Sequence, residues 1–178
     1  YDVILNTVSI KDKEIAINIS FIFKKYDYQA TLTKQDSTLY NMLTKNIISM
    51  EFDKYYDDKN VTITITSSDS SIDVTANKIS ITANLEGKVL ENNANFDLTK
   101  TKFYDKLNKD FSKIIEKDIK SFIELLQDNK SDILGLQEIY YKKTRKDNKN
   151  LWLNAEIEVK VNLKVNTKGF IFEVKNEK

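Results

Sequence analysis

The chain contains neither cysteine nor histidine. Without cysteine there is no disulfide framework, thiolate nucleophile or cysteine-built metal site; without histidine the commonest general base and the commonest metal ligand are missing. Enzymatic chemistry is therefore not expected. The missing disulfides leave the compartment open, because a chain with an adequate core needs no staple even outside the cell. Proline is also absent, while Lys, Ile and Asn abound, a pattern of A/T-rich codons that bears on ancestry and not on chemistry. An excess of one charge is lacking too. With 28 basic and 27 acidic residues the net charge is +1, so no global field draws the chain to nucleic acid or an anionic membrane, and any basic surface must be local. No stretch approaches the roughly 18 apolar residues of a membrane-spanning helix. The chain opens at Tyr1 with neither Met nor a signal-like run, and is read as part of a longer protein whose targeting lies upstream.

What is present is a chain of 178 residues, 40% hydrophobic and 31% charged, the balance of one folded domain with a real core. Residues 1–178 are read as that single domain. In IAINISFIF, Ile15, Ile17, Ile19, Phe21 and Phe23 share one face at the period of a half-buried strand. KKYDYQATL follows as a charged turn and a short return, which predicts a hairpin. In TKQDSTLYNMLTKN, Thr33 is a cap with Asp36 three residues on, and Leu39, Met42 and Leu43 share a face, which predicts a short helix over 34–46. NIISMEF returns to extended character.

Alternation is cleanest between residues 60 and 90, where Val61, Ile63 and Ile65, then Ile72 and Val74, then Ile79, Ile81, Ala83 and Leu85 face one way. Residues 67–71, SSDSS, read as a turn between the first two runs, and Ala76-Asn77-Lys78 as a break or bulge before the third. Phe103, Leu107, Phe111, Ile114, Ile115, Ile119, Phe122, Ile123 and Leu126 then trace a 3.6-period stripe and predict one long amphipathic helix.

SDILGLQEIYY, residues 131–141, resumes the helical phase, either as a kinked continuation or as a second helix capped at Ser131. Gly135 interrupts that phase at a cost of about 1 kcal/mol relative to Ala. A glycine is expected there if a sheet strand or Trp152 must come close. After the basic exit KKTRKDNKN, residues Ala155, Ile157, Val159, Val161, Leu163 and Val165 alternate with polar neighbours. Thr167-Lys168-Gly169 ends that strand, and FIFEV reads as a last extended piece. Strands wet on one face and apolar on the other imply an antiparallel sheet covered on one side. The expected class is α+β: a largely antiparallel curved sheet packed on one face by the long amphipathic helix and shorter helices.

Few residues offer chemistry. Asp53, Asp57 and Asp58 beside Tyr55 and Tyr56 lack the ordered ligand spacing of a calcium loop and read better as a solvated hairpin tip. Lys142, Lys143, Arg145 and Lys146 form a candidate basic contact patch for anionic lipid or phosphate; the simpler reading is a helix end whose cations offset the helix dipole. The aromatic residues of FIFKKYDY suit a strand better than a base-stacking platform, so no nucleic-acid partner is expected. The glycosylation sequons at Asn18, Asn60 and Asn129 arise by chance in a chain so rich in Asn. No phosphate-binding loop, dinucleotide fingerprint or serine elbow occurs, and no metal or cofactor is expected.

The order Asp132-Ile133-Leu134-Gly135-Leu136, placed after a long amphipathic helix and before Trp152 and an alternating strand, resembles the C-terminal domain of the Ger(x)C family. These are the C-subunit lipoproteins of bacterial spore germinant receptors. FIFKKYDYQATLTKQDSTLYNMLTKNI and VKVNLKVNTKGF are similar to two further segments of the family, so the resemblance runs from about Ile19 to Phe170. Asp132, Gly135, Glu138, Trp152 and Gly169 fall on its signature positions. The chain departs from the pattern at Gln137, where the family's Gly-x-Gly has its second glycine, and in having no proline before Trp152.

The resemblance implies a non-catalytic subunit domain of a nutrient germinant receptor, acting in assembly, scaffolding or signal relay. It further implies N-terminal domains and a lipid anchor outside this chain, the spore inner membrane as location, and the receptor's membrane subunits as partners. The other function to be weighed is a ligand-binding module that itself holds a small nutrient germinant. That would need a concave apolar pocket with a few convergent polar groups.

Overall fold

The computed structural model describes residues 2–11, 14–45, 49–148 and 150–166. Three strands come first: β1 (Asp2–Lys11), β2 (Glu14–Lys24) and β3 (Asp27–Leu32) form an antiparallel sheet in the order β1-β2-β3. Helix α1 (Lys34–Leu43) follows, opened by a capping box in which Asp36 N–H donates to Thr33 Oγ1 at 3.1 Å and Thr33 N–H to Asp36 Oδ2 at 2.9 Å. Strands β4 (Met50–Tyr56), β5 (Lys59–Val74) and β6 (Lys78–Asn92) form an antiparallel meander. Helices α2 (Thr101–Asp128) and α3 (Leu136–Thr144) and a 3-10 turn (Leu151–Asn154) lead to β7 (Glu156–Asn166), which joins the second sheet in the order β4-β5-β6-β7.

The class is α+β and most strand pairs are antiparallel, but the strands divide between two sheets instead of forming one. β7 runs parallel to β6, because the two helices between them carry the chain back to the end from which β6 started. Strand β1 has no counterpart among the predicted elements. Residues 67–71 are not a turn: β5 passes through them unbroken, paired with β6 from Val74–Ile79 onward, with a bulge between Ile65 and Ser67. The serines stay in the ladder partly because Ser68 Oγ donates to the Met42 carbonyl at 3.1 Å, closing a polar contact with the end of α1. Ala76 and Asn77 do lie in the tight β5–β6 connection, where Thr75 N–H donates to the Lys78 carbonyl at 2.8 Å. The extended piece predicted at FIFEV, with Gly169, lies outside the described residues.

The long helix takes the position its periodicity predicts. Leu107, Phe111, Ile115, Ile119, Phe122, Ile123 and Leu126 are buried in one cluster with Ile79, Ile81, Ala83 and Leu85 of β6 and Val161, Leu163 and Val165 of β7. Each such Leu, Ile or Phe contributes about 1.5–3 kcal/mol of transfer free energy. α2 also covers the free edge of β7: Glu116 accepts Val161 N–H at 3.0 Å and Asn108 accepts Val165 N–H at 2.9 Å. An edge satisfied in this way is a poor template for pairing with another chain.

In β2 the apolar period was legible but its direction was not. Ile22, with Ala30 and Leu32 of β3, is buried in the core that holds Leu39 and Met42 of α1, while Phe21 and Phe23 stand on the outer face, half-buried. There they meet Val3 and Leu5 of β1 through the register Val3↔Phe23 and Leu5↔Phe21. Tyr28 stacks edge-on against both phenylalanines at 6.2 Å. Val3, Leu5 and Tyr28 are 47%, 54% and 56% exposed, so the outer face of this sheet is apolar where an antiparallel sheet facing water would ordinarily be polar.

Candidate functional site

Four of the five residues expected at signature positions, Asp132, Gly135, Glu138 and Trp152, lie close together where α2 ends. α2 closes with Lys130 in the left-handed region at φ 51°, Lys130 N–H donating to the Gln127 carbonyl at 3.0 Å and Ser131 N–H to the Leu126 carbonyl at 2.9 Å. This is the hydrogen-bond pattern of a Schellman stop. Ser131 is therefore not the cap of a second helix. It is fully buried, and its hydroxyl donates to Asp2 Oδ2 at 3.1 Å, while the next amide, Asp132 N–H, donates to the same oxygen at 2.6 Å. Lys24 adds a second tie from the first sheet, its Nζ donating to the Lys130 carbonyl at 3.0 Å, where a cation suits the negative end of the helix.

Asp132 supplies the cap that the sequence pointed to at Ser131. Its Oδ1 accepts Leu136 N–H at 2.6 Å and its Oδ2 accepts Gln137 N–H at 2.9 Å, satisfying the first amides of α3. Gly135 stands between them with φ 70° and ψ 32°. A Cβ added there would meet nothing within 4 Å, so neither a strand nor Trp152 crowds it, and the expected close approach is absent. The glycine is required by backbone shape: the chain turns through the left-handed region to enter α3. Gly135→Val is expected to cost about 1–2 kcal/mol and Gly135→Asn only a few tenths, since Asn tolerates that region. Urea denaturation of the two variants checks this. Equal losses would show that the left-handed backbone is not what requires the glycine.

Gln137, where the resemblance led to the expectation of a glycine, holds the following loop. Its Nε2 donates to the Asn148 carbonyl at 3.1 Å and its Oε1 accepts Asn150 N–H at 3.0 Å. Trp152, on the 3-10 turn, is 3% exposed, and Gln127 Nε2 donates to the Trp152 carbonyl at 2.7 Å and the Ala155 carbonyl at 3.0 Å. Above these residues lies a cleft of about 600 Å³, bordered by Asp2, Lys24, Asp132, Glu138, Tyr141 and Trp152.

Burial pushes the Asp132 carboxyl above its ordinary value; the Gln137 and Leu136 amides pull it back, Asp2 raises it and Lys24 lowers it. A raised folded-state value means that Asp132 contributes stability fully below its unfolded pKa, about 3.9, and loses it as pH rises through the folded value. The stability of the wild type is therefore expected to fall relative to Asp132→Asn between acid and neutral pH. Urea midpoints of both proteins across that range check the sign. A constant gap would show that Asp132 ionises as freely folded as unfolded.

The remaining predicted residues lie apart or are engaged locally. Glu138 pairs with Lys142 at 2.7 Å, and Lys143 with Asp73 of β5 at 2.7 Å. Arg145 closes α3 at φ 58°, and the Lys146 amide donates to Thr144 Oγ1 at 3.2 Å. Asp57 and Asp58, both at positive φ, form the β4–β5 turn, and Asp53 accepts the Thr62 hydroxyl at 2.6 Å. No cluster of acidic residues able to hold a metal ion occurs among the described residues. Sequence reasoning missed Asp2, Lys24 and Gln127 altogether. Asp2 and Lys24 meet partners more than 100 residues away, and no local pattern marks such a contact.

Fold defines the class first. The chain superposes on a crystal structure of the GerBC protein with a TM-score of 0.79 at 16% identity, over 93% of this chain and 56% of that one. At this identity the likeness is one of fold, and the chain spans little more than half the length of that protein. The sequence then supplies the family: residues 18–170 match the model described as "Spore germination B3/ GerAC like, C-terminal", and the chain belongs to that family. Membership assigns it to spore germination, as a domain like that of a germinant-receptor C subunit. No curated protein matches.

Proposed function

We propose that this domain is a non-catalytic part of a nutrient germinant receptor. It acts in assembly or signal relay beside the receptor's membrane subunits at the spore inner membrane, in a longer protein that carries the lipid anchor. The observation that carries this reading is the apolar outer face of the first sheet, Val3, Leu5, Phe21, Phe23 and Tyr28, which offers the kind of aromatic contact area found at the centre of protein interfaces. A membrane subunit is its occupant. The α2–α3 junction supports that face from behind, since Asp132 N–H holds Asp2 at the start of β1 and the Lys130 carbonyl holds Lys24 at the end of β2. The basic segment Lys142, Lys143, Arg145 and Lys146 closes α3 and is a weaker contact surface, two of its cations being paired within the domain.

The test is recovery of the membrane subunits with the full-length protein carrying Leu5→Glu and Tyr28→Glu, together with a germination assay. Loss of recovery in a protein that still folds and accumulates supports docking. Normal recovery would sink it. A second reading, capture of a small nutrient, is favoured by the cleft beside Trp152. Titration with amino acids, sugars and nucleosides, read through Trp152 emission, decides it; a saturable change would make the domain a binding module.

A further inference from the structure

Six lysines recur along α2 at intervals of three or four residues: Lys102, Lys106, Lys109, Lys113, Lys117 and Lys120. At 3.6 residues per turn they fall within an arc of about 80°, opposite the buried stripe, and at 1.5 Å per residue they form a row about 27 Å long. All six are exposed. Acids stand near them in sequence but are drawn elsewhere. Asp110 accepts the Tyr56 hydroxyl at 2.8 Å, Glu116 accepts the Val161 amide, and Glu158 of the neighbouring β7 pairs with Lys78. Lys106 lies over the Tyr56 and Phe96 rings at 4.8 and 5.1 Å. None of the six closes an ion pair among the described residues. Asp118 accepts Gln35 Nε2 at 2.7 Å and stands near enough to Lys117 to feel its charge, and Asp105, Glu124 and Glu156 are further acids near the row. An ordinary solvated helix face interleaves the two signs so that pairs form. This one presents a single sign over five turns of a chain whose net charge is only +1.

We propose that the lysine face of α2 rests on anionic phospholipid headgroups, holding the domain flat against a bilayer by charge without insertion. The row follows one side of a single helix, and Lys109, Lys113, Lys117 and Lys120 also edge the open grooves between α2 and β7, so the lysines border a surface and not an enclosed ligand site. It is built from lysines alone; the single arginine, Arg145, lies elsewhere, so no guanidinium fork is present to grip one phosphate in two places. Flexible ammonium stems suit the diffuse charge of a lipid surface. The apolar side of α2 is occupied by the core, so the helix cannot bury it in the acyl region as an interfacial helix would. This inference rests on charge placement and does not depend on the docking role proposed above.

The experiment is co-sedimentation of the 178-residue chain with phosphatidylcholine vesicles that contain or lack phosphatidylglycerol. Binding is expected only to the anionic vesicles, and it should vanish between roughly 0.01 M and 1 M salt as the screening length shrinks from about 30 Å to about 3 Å. Each lysine at such a surface is worth about a fivefold change in partition, so Lys109→Glu, Lys113→Glu and Lys117→Glu together should lower it by roughly 100-fold or more. Reversal of three exposed lysines off the row, Lys25→Glu, Lys59→Glu and Lys160→Glu, changes the net charge equally and should retain most of the binding. Circular dichroism and Trp152 emission verify that each variant folds. If the row variant does not, Lys→Gln at the same three positions takes its place. Equal losses in the two triples, equal binding to both kinds of vesicle, or binding to duplex DNA with none to vesicles would overturn the proposal.

Discussion

Trp152→Ala is expected to cost the domain about 3–5 kcal/mol, a large fraction of the roughly 5–15 kcal/mol that holds a typical domain folded. The residue is the only tryptophan, and it re-enters the core after a polar stretch, between the half-buried Leu151 and Leu153. Its 3-10 turn contacts both α2 and α3. Truncation would leave a void that these elements cannot fill, because Gln127 pins the turn through the Trp152 and Ala155 carbonyls and limits collapse. Urea denaturation of the variant, followed by far-ultraviolet circular dichroism, measures the loss. In the wild type, emission should be blue-shifted and move to the red on unfolding; emission of a solvent-exposed indole in the folded protein would contradict the burial.

The second large effect is expected at Gly87. This residue lies mid-sheet in β6, paired with Ile65 of β5 on one side and Val165 of β7 on the other. An added Cβ would stand 2.7 Å from the Thr64 carbonyl oxygen and 3.2 Å from Ile65 Cδ1. The first of these is backbone fixed in a ladder, so the sheet itself must shift. Gly87→Val is expected to cost about 3 kcal/mol, the upper end of overpacking effects, and more than Gly135→Val. Thermal melts of the two variants check the order; a reversed order would mean that the bulge beside Ile65 absorbs the added side chain.

The two glycines show where reading the chain succeeds and fails. A close backbone approach is a sound reason for a glycine in a regular element, but it applies to Gly87 and not to Gly135. Gly87 drew no notice, because a single small residue in an alternating run looks like any other strand position. Gly135 drew notice because it breaks a helical period, and the break proved to be real: it separates two helices. Similarly, Ser131 carries a capping signal one residue early. The amides of α3 are satisfied by Asp132, while Ser131 is taken by Asp2, a partner at the far end of the chain.

By itself the sequence determined the elements whose cause is local. The α2 stripe, the Thr33–Asp36 cap, the alternation of β6 and β7 and the lack of a cysteine or histidine inventory follow from periodicity and side-chain type, which act within a few residues. Tertiary structure decided whatever depends on a partner distant along the chain. Alternation in β2 says that Phe21 and Phe23 share a face, but only α1, seated on Ile22, Ala30 and Leu32, decides that this face looks outward. Residues 67–71 have the composition of a turn, but a ladder with β6 keeps them in a strand, since backbone hydrogen bonds along it outweigh a weak local preference. The same holds for the lysines of α2: their spacing is written in the chain, but the unpaired state of that row is set by the Tyr56 hydroxyl and the Val161 amide, which draw Asp110 and Glu116 away.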